Sequence, residues 1–153
     1  MSLWKELYDI VASERSRLQS KDANKQAVLF ELKSNLDFLA DGLKNDIAAN
    51  KLVLGLECQA FDQGITRGFS LNSLANRKAS AKTVAGFAEF KKYIGKDSEY
   101  LINNAYLKIA SLKKLVQADN KKDYSLKVKS LFRFLVFVVV HIEGSVLQAK
   151  KGK

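Results

Sequence analysis

Proline is absent from this chain, and glycine is scarce, with eight in 153 residues. Proline breaks helices and glycine loosens them. A chain so poor in both, and rich in Leu, Lys, Ala and Ser, has the composition of helices joined by short connections. The single cysteine, Cys58, excludes an internal disulfide framework and fits a reducing, cytoplasmic setting. There is also only one histidine, so a zinc site of the Cys/His type is excluded; no metal and no cofactor are expected. Long hydrophobic runs are missing too. The longest covers residues 134–140, far short of the ~20 needed to span a bilayer, and widening it brings in Arg133, His141 and Glu143. No membrane span is expected. The N-terminus carries Glu6 and Asp9 on an amphipathic pattern, unlike a signal or transit peptide. Phosphate loops, dinucleotide fingerprints, nucleophile elbows, calcium loops and Glu-x-x-His pairs are all lacking.

What is present is apolar residues in helical register, 47% of the chain, enough for one domain with a real core. The organising stretch is residues 124–147, read as one helix. Val128, Leu131, Phe132, Leu135, Val138, Val139, Ile142 and Val146 share one face at ~100° per residue. A second seam, Leu126, Ser130, Arg133, Phe137, Val140 and Gly144, runs along the other side. A helix apolar all round is buried all round, so this one is expected at the centre of a bundle or shared between two chains. If Ser130 and Gly144 face another helix, they allow close backbone approach.

The fold expected is all-α: a single-domain bundle of about five to seven helices with a long, largely buried C-terminal helix. Residues 1–50 form an N-terminal helix or helical hairpin. Trp4, Leu7, Val11 and Leu18 make a first stripe; Leu29, Leu32, Leu36, Leu39 and Leu43 make a second in heptad spacing. The break is placed near Ser20-Lys21-Asp22, with Asp22 as N-cap. Residues 51–95 hold short helices and a loop. One helix covers 57–66 and ends near Gly68; the loop covers 69–79, pinned by Phe69, Leu71 and Leu74; another helix is capped by Ser80 and carries Val84, Phe87 and Phe90. Residues 96–149 form a helix pair, the first capped by Asp97, and 150–153 a basic tail.

Net charge is +10, unevenly spread. Residues 1–90 carry 12 basic and 11 acidic side chains, residues 91–153 carry 14 and 5. Lysine makes up 21 of the 26 basic residues, which suits a solvated helix surface better than base-specific readout. Lys108, Lys113, Lys114, Lys121, Lys122, Lys127 and Lys129, interleaved with tyrosines, are the candidate nucleic-acid contacts.

His141 is the only histidine, and the bland reading is a neutral core residue hydrogen-bonded to a carbonyl or carboxylate. Cys58 has no partner set and reads as packing. Arg133 is expected to pair with Asp37 or Asp41. Arg133 and His141 on one helix of an all-α chain resemble the HEPN ribonucleases, whose motif is Arg, four to six residues, then His. Here residues 134–140 make the gap seven, and the polar residue usual between the two is absent. The pair is separated by ~12 Å of rise and ~80° of rotation. That resemblance implies a metal-independent ribonuclease.

These observations set three functional expectations, with enzymatic activity the least favoured and no catalytic residue assigned. First is a helical protein–protein interaction or oligomerisation module using Ser130, Arg133, Phe137, Val140, His141 and Gly144. Second is sequence-neutral nucleic-acid binding by the lysines of the C-terminal half. Third is the HEPN-like ribonuclease.

Overall fold

A computed structural model describes residues 23–144. Within them the order is α1 Ala23–Lys44, α2 Ala49–Leu54, α3 Gln59–Thr66, 3-10 turns at Leu71–Ser73 and Ala88–Tyr93, α4 Ser98–Ala118 and α5 Ser125–Glu143. Extended pairing among the described residues is one bridge, Lys78 to Asp97. The fold is therefore all-α, as the composition implies. The first stripe of Trp4, Leu7, Val11 and Leu18, the break expected at Ser20-Lys21-Asp22, Val146 and the basic tail lie outside the described residues.

Helices α4 and α5 form an antiparallel hairpin. Tyr124 at its turn donates its hydroxyl to the Leu115 and Asp119 carbonyls at 3.0 and 3.2 Å. Helix α1 lies along α5 in the opposite sense. Asn50, in the first turn of α2, donates to the carbonyls of Asn120 and Lys122 in the hairpin turn, whereas Lys33 of α1 pairs with Glu143 near the other end of α5. The leucine stripe of α1 explains this placement: Leu29, Leu32, Leu36 and Leu39 are all buried. Each such side chain contributes roughly 1.5–3 kcal/mol of transfer free energy. Gly42 lets α2 come close, since a Cβ there would lie 2.1 Å from Leu52 Cδ2. Leu52 and Val53 belong to this short α-helix.

Helix ends follow from local chemistry. Asp97 caps α4 by accepting the Tyr100 N–H at 2.9 Å. Helix α3 ends on Gly68, at φ 78°, with Phe69 N–H reaching the Gly64 carbonyl and Gly68 N–H the Ile65 carbonyl. That is the paired-bond termination which favours glycine.

Two expectations are corrected. The C-terminal helix does not run through Gly144; it stops at Glu143, and Gly144 takes a left-handed conformation at φ 70°. Glycine has no Cβ to oppose that turn, so it ends the helix here instead of offering a small contact surface within it. The helix expected from Ser80 is also not α-helical. Ser80 does accept the Thr83 N–H at 3.2 Å, but turns follow and then the 3-10 segment Ala88–Tyr93. Val84, Phe87, Phe90 and Tyr93 are all buried and recur every third residue. Such spacing would drift around an α-helix; here Val84 lies in the turns, Phe87 just before the 3-10 segment and Phe90 at a non-helical break within it.

Candidate functional site

The long seam between α4 and α5 is closed over one half and open over the other. In the closed half, residues 84–93 lay their rings on α5. Phe90 lies 5.3 Å from Phe134 and 5.2 Å from Phe137, and Tyr93 lies 5.2 Å from Phe134, centroid to centroid. Such offset and edge-on pairs add to the burial itself. Arg133 fastens this flap from outside. Its guanidinium pairs with Glu89 and lies 5.4 Å over the Phe87 ring. The Arg133 hydrogen bond keeps the Glu89 carboxyl below its ordinary range. The partner expected for Arg133 was Asp37 or Asp41; it is Glu89, because the flap, not α1, borders this side of α5.

His141 closes the end of the same half. Its Nε2 is 2.9 Å from Ser98 Oγ, and the Ser98 hydroxyl donates to the Ala75 carbonyl. With that hydroxyl committed as donor, Nε2 meets it as a proton donor. Burial first, then the Arg77 charge, push its pKa down to about 4, against an opposing pull from Asp97. Arg77 donates to the carbonyls of His141 and Ile142 at 2.6 and 3.0 Å, satisfying groups that the helix end leaves open.

In the open half no described residue covers the seam. A groove of about 310 Å³ runs between Leu107, Lys108, Ser111 and Leu115 of α4 and Lys127, Ser130 and Leu131 of α5. Leu107 is 63% exposed and Leu115 43%, while Leu112 and Leu131 form a buried floor. Lys108 marks the border, with its ammonium 5.1 Å above the Phe134 ring. Burial, and next the neighbouring Lys92 charge, hold Lys108 below the usual lysine range. A second hollow of about 380 Å³, lined by Glu99, Tyr100 and Asn103, adjoins the groove at Asn104 and Leu107.

The structure therefore divides the second seam of α5. Phe137, Val140 and His141 are buried inside the chain, Ser130 and Arg133 are exposed, and Gly144 is an exposed helix end. Arg133 and His141 are not brought together: one is engaged at the surface by Glu89, the other in the core by Ser98. The candidate lysines separate as well. Lys108 and Lys127 share the groove. Lys113 is half-buried on the opposite edge of α4, where its charge offsets part of the burial-driven rise in the Cys58 pKa. Lys114 and Lys129 are exposed; Lys121 and Lys122 occupy the hairpin turn, with Lys122 6.0 Å from the Tyr124 ring.

Sequence reasoning missed three buried polar residues on α1: Glu31, Lys33 and Asn35. Glu31 accepts from Ala60 N and Phe61 N at 2.9 and 3.1 Å and from the Tyr106 hydroxyl at 2.8 Å. It thus caps α3 from another helix, beneath the Phe61 and Tyr106 rings stacked 4.1 Å apart. Burial, with Glu31 next, raises the Tyr106 pKa well above normal. Asn35 exchanges two hydrogen bonds with the Glu57 backbone at 2.8 and 2.9 Å. The available signal was position: Glu31 and Asn35 stand one turn apart beside the leucine stripe.

Among the described residues no cluster of three or more His, Cys, Asp or Glu side chains is arranged to hold a metal ion. No helix among them is long and apolar enough to cross a membrane. No protein-family model, curated protein or solved structure matches the chain.

Proposed function

We propose that this chain is a non-enzymatic helical module that binds protein, and that the open half of the α4–α5 seam is its binding surface. One observation carries the reading: the same two helices are roofed by aromatic rings at one end and left with an exposed, leucine-lined groove at the other. A groove between two helices, apolar at its floor and edged by lysine and serine, suits an amphipathic helix whose apolar side chains recur every three to four residues. His141 and Cys58, the residues best suited to chemistry, serve packing instead. Their environments disfavour the imidazolium and the thiolate.

The test is a displayed library of helical peptides selected on the immobilised chain, with enriched sequences re-measured as labelled peptides by anisotropy. Amphipathic peptides with micromolar affinity are expected, at least about tenfold weaker on Leu107→Asp and on Leu115→Asp, since a buried unpaired carboxylate is costly. Peptides that bind both variants as well as the parent chain would overturn the reading, and so would a selection that enriches nothing.

A second reading, sequence-neutral nucleic-acid binding, is supported by Lys108 and Lys127, which line the groove on its two helices. It predicts oligonucleotide affinity that falls steeply with salt as counterions are released, and that is lost on charge reversal at Lys108 and Lys127. Salt-independent binding, or none at low salt, removes it.

A further inference from the structure

We infer that a partner of the groove is a second copy of this chain, which presents the outer ridge of α1 around Phe38. This rests on the groove reading above and names its occupant. Phe38 is 38% exposed on α1, and Leu54, beside it at the end of α2, is 51% exposed. The two helices meet here: a Cβ on Gly55 would fall 2.5 Å from Phe38 Cζ. Asp37 and Asp41 stand one helical turn apart at the flank of Phe38, both exposed. The ridge is therefore an apolar knob with two carboxylates at its side. The groove is its counterpart: apolar between Leu107 and Leu115, with Lys108 and Lys127 on its two helices.

Charge complementarity selects this occupant. Partial burial, with repulsion from Asp41 next, raises the Asp37 pKa, while burial and Lys92 lower that of Lys108. Within one chain each face holds like charges, and a ridge-to-groove contact sets Asp37 and Asp41 against Lys108 and Lys127. Complementary potentials of this kind fix register and speed encounter. Ridge and groove are different surfaces, so the contact is heterologous and joins copies head to tail.

Sedimentation velocity on the purified full chain tests this, from micromolar to millimolar concentration at low and at high salt. Association that grows with concentration and weakens with salt is expected. The ridge variant Asp37→Lys/Asp41→Lys and the groove variant Lys108→Glu/Lys127→Glu should each associate at least about tenfold more weakly, because each now sets like charges against each other. Mixed in equal amounts they should associate again, since every ridge then meets a groove of opposite sign. Far-UV circular dichroism checks that both fold; Lys127→Glu alone, at a fully surface position, serves if the double groove variant does not.

A chain that stays monomeric at millimolar concentration and low salt overturns the proposal. So does association that both variants retain, or a mixture that fails to recover it. Peptide binding to the groove is measured separately by anisotropy. Its survival alongside a monomeric chain removes the second copy and leaves the groove reading standing; its loss removes both.

Discussion

Along α5, Phe134, Phe137 and His141 lie beneath the 84–93 flap and Ser98, while Lys127, Ser130 and Leu131 border an open groove. Backbone and partner helix are the same in both halves. The difference is the flap, which reaches as far as Phe134 and stops where Lys108 lays its ammonium over that ring. Burial of one helix is thus decided residue by residue by what a distant loop covers. Apolar pattern alone does not decide it.

The comparison breaks most visibly at Phe137, which has no exposure at all. Phe137→Asp places an uncompensated carboxylate among four aromatic rings and should cost more than about 4 kcal/mol, leaving no cooperative unfolding transition in a denaturant titration. A folded Phe137→Asp chain would mean that the flap opens freely and that the two halves are alike.

Next in size is the pH response of His141. Its imidazole titrates near 6.5 when unfolded and near 4 when folded. Between those values the unfolded chain holds the proton and the folded chain does not. Stability is therefore fullest above about pH 7 and declines as pH falls towards 4, by on the order of 3 kcal/mol. Denaturant midpoints measured across that window should fall more steeply for the parent chain than for His141→Gln. Equal slopes would show that the closed half admits a charged histidine.

The outer fastening should matter far less. Arg133 and Glu89 are each nearly half exposed, so Glu89→Gln should cost under about 1 kcal/mol and leave near-UV circular dichroism of the flap unchanged. A larger loss would shift the credit for closure from the rings to the ion pair. Smallest of all, Leu107→Ser in the open half should move stability by no more than about 0.5 kcal/mol while weakening any groove ligand. A substantial loss of stability there would place Leu107 in the core.

Much of this was legible in the chain. Missing proline and the 3.6-residue patterns on α1, α4 and α5 specify the helices, and Asp97 and Gly68 mark their ends as expected. Leu29 to Leu39 could be assigned to a core because one face repeats without interruption. The flap was harder. Its three-residue period differs from an α-helix by little over such a short length, and Ser80 is as good a cap for a turn as for a helix. The groove was not visible at all: Ser130 and Phe137 lie seven residues apart on one seam of α5, and only the reach of the 84–93 segment exposes the first and buries the second. Glu31, Lys33 and Asn35 stayed hidden because their partners lie far off in the chain, with 75 positions between Glu31 and Tyr106.

That last separation has a kinetic consequence. Helix α3 is eight residues long, too short to persist in water without docking. Its first amide groups have their acceptor on α1, and that acceptor also takes its third hydrogen bond from α4. Neither α3 nor its capping carboxylate can settle until all three segments have met, so a long loop must close before these local bonds form. Amides of α3 should then exchange with solvent at the rate at which α1 and α4 part, although α3 by its length alone would fray like a peptide.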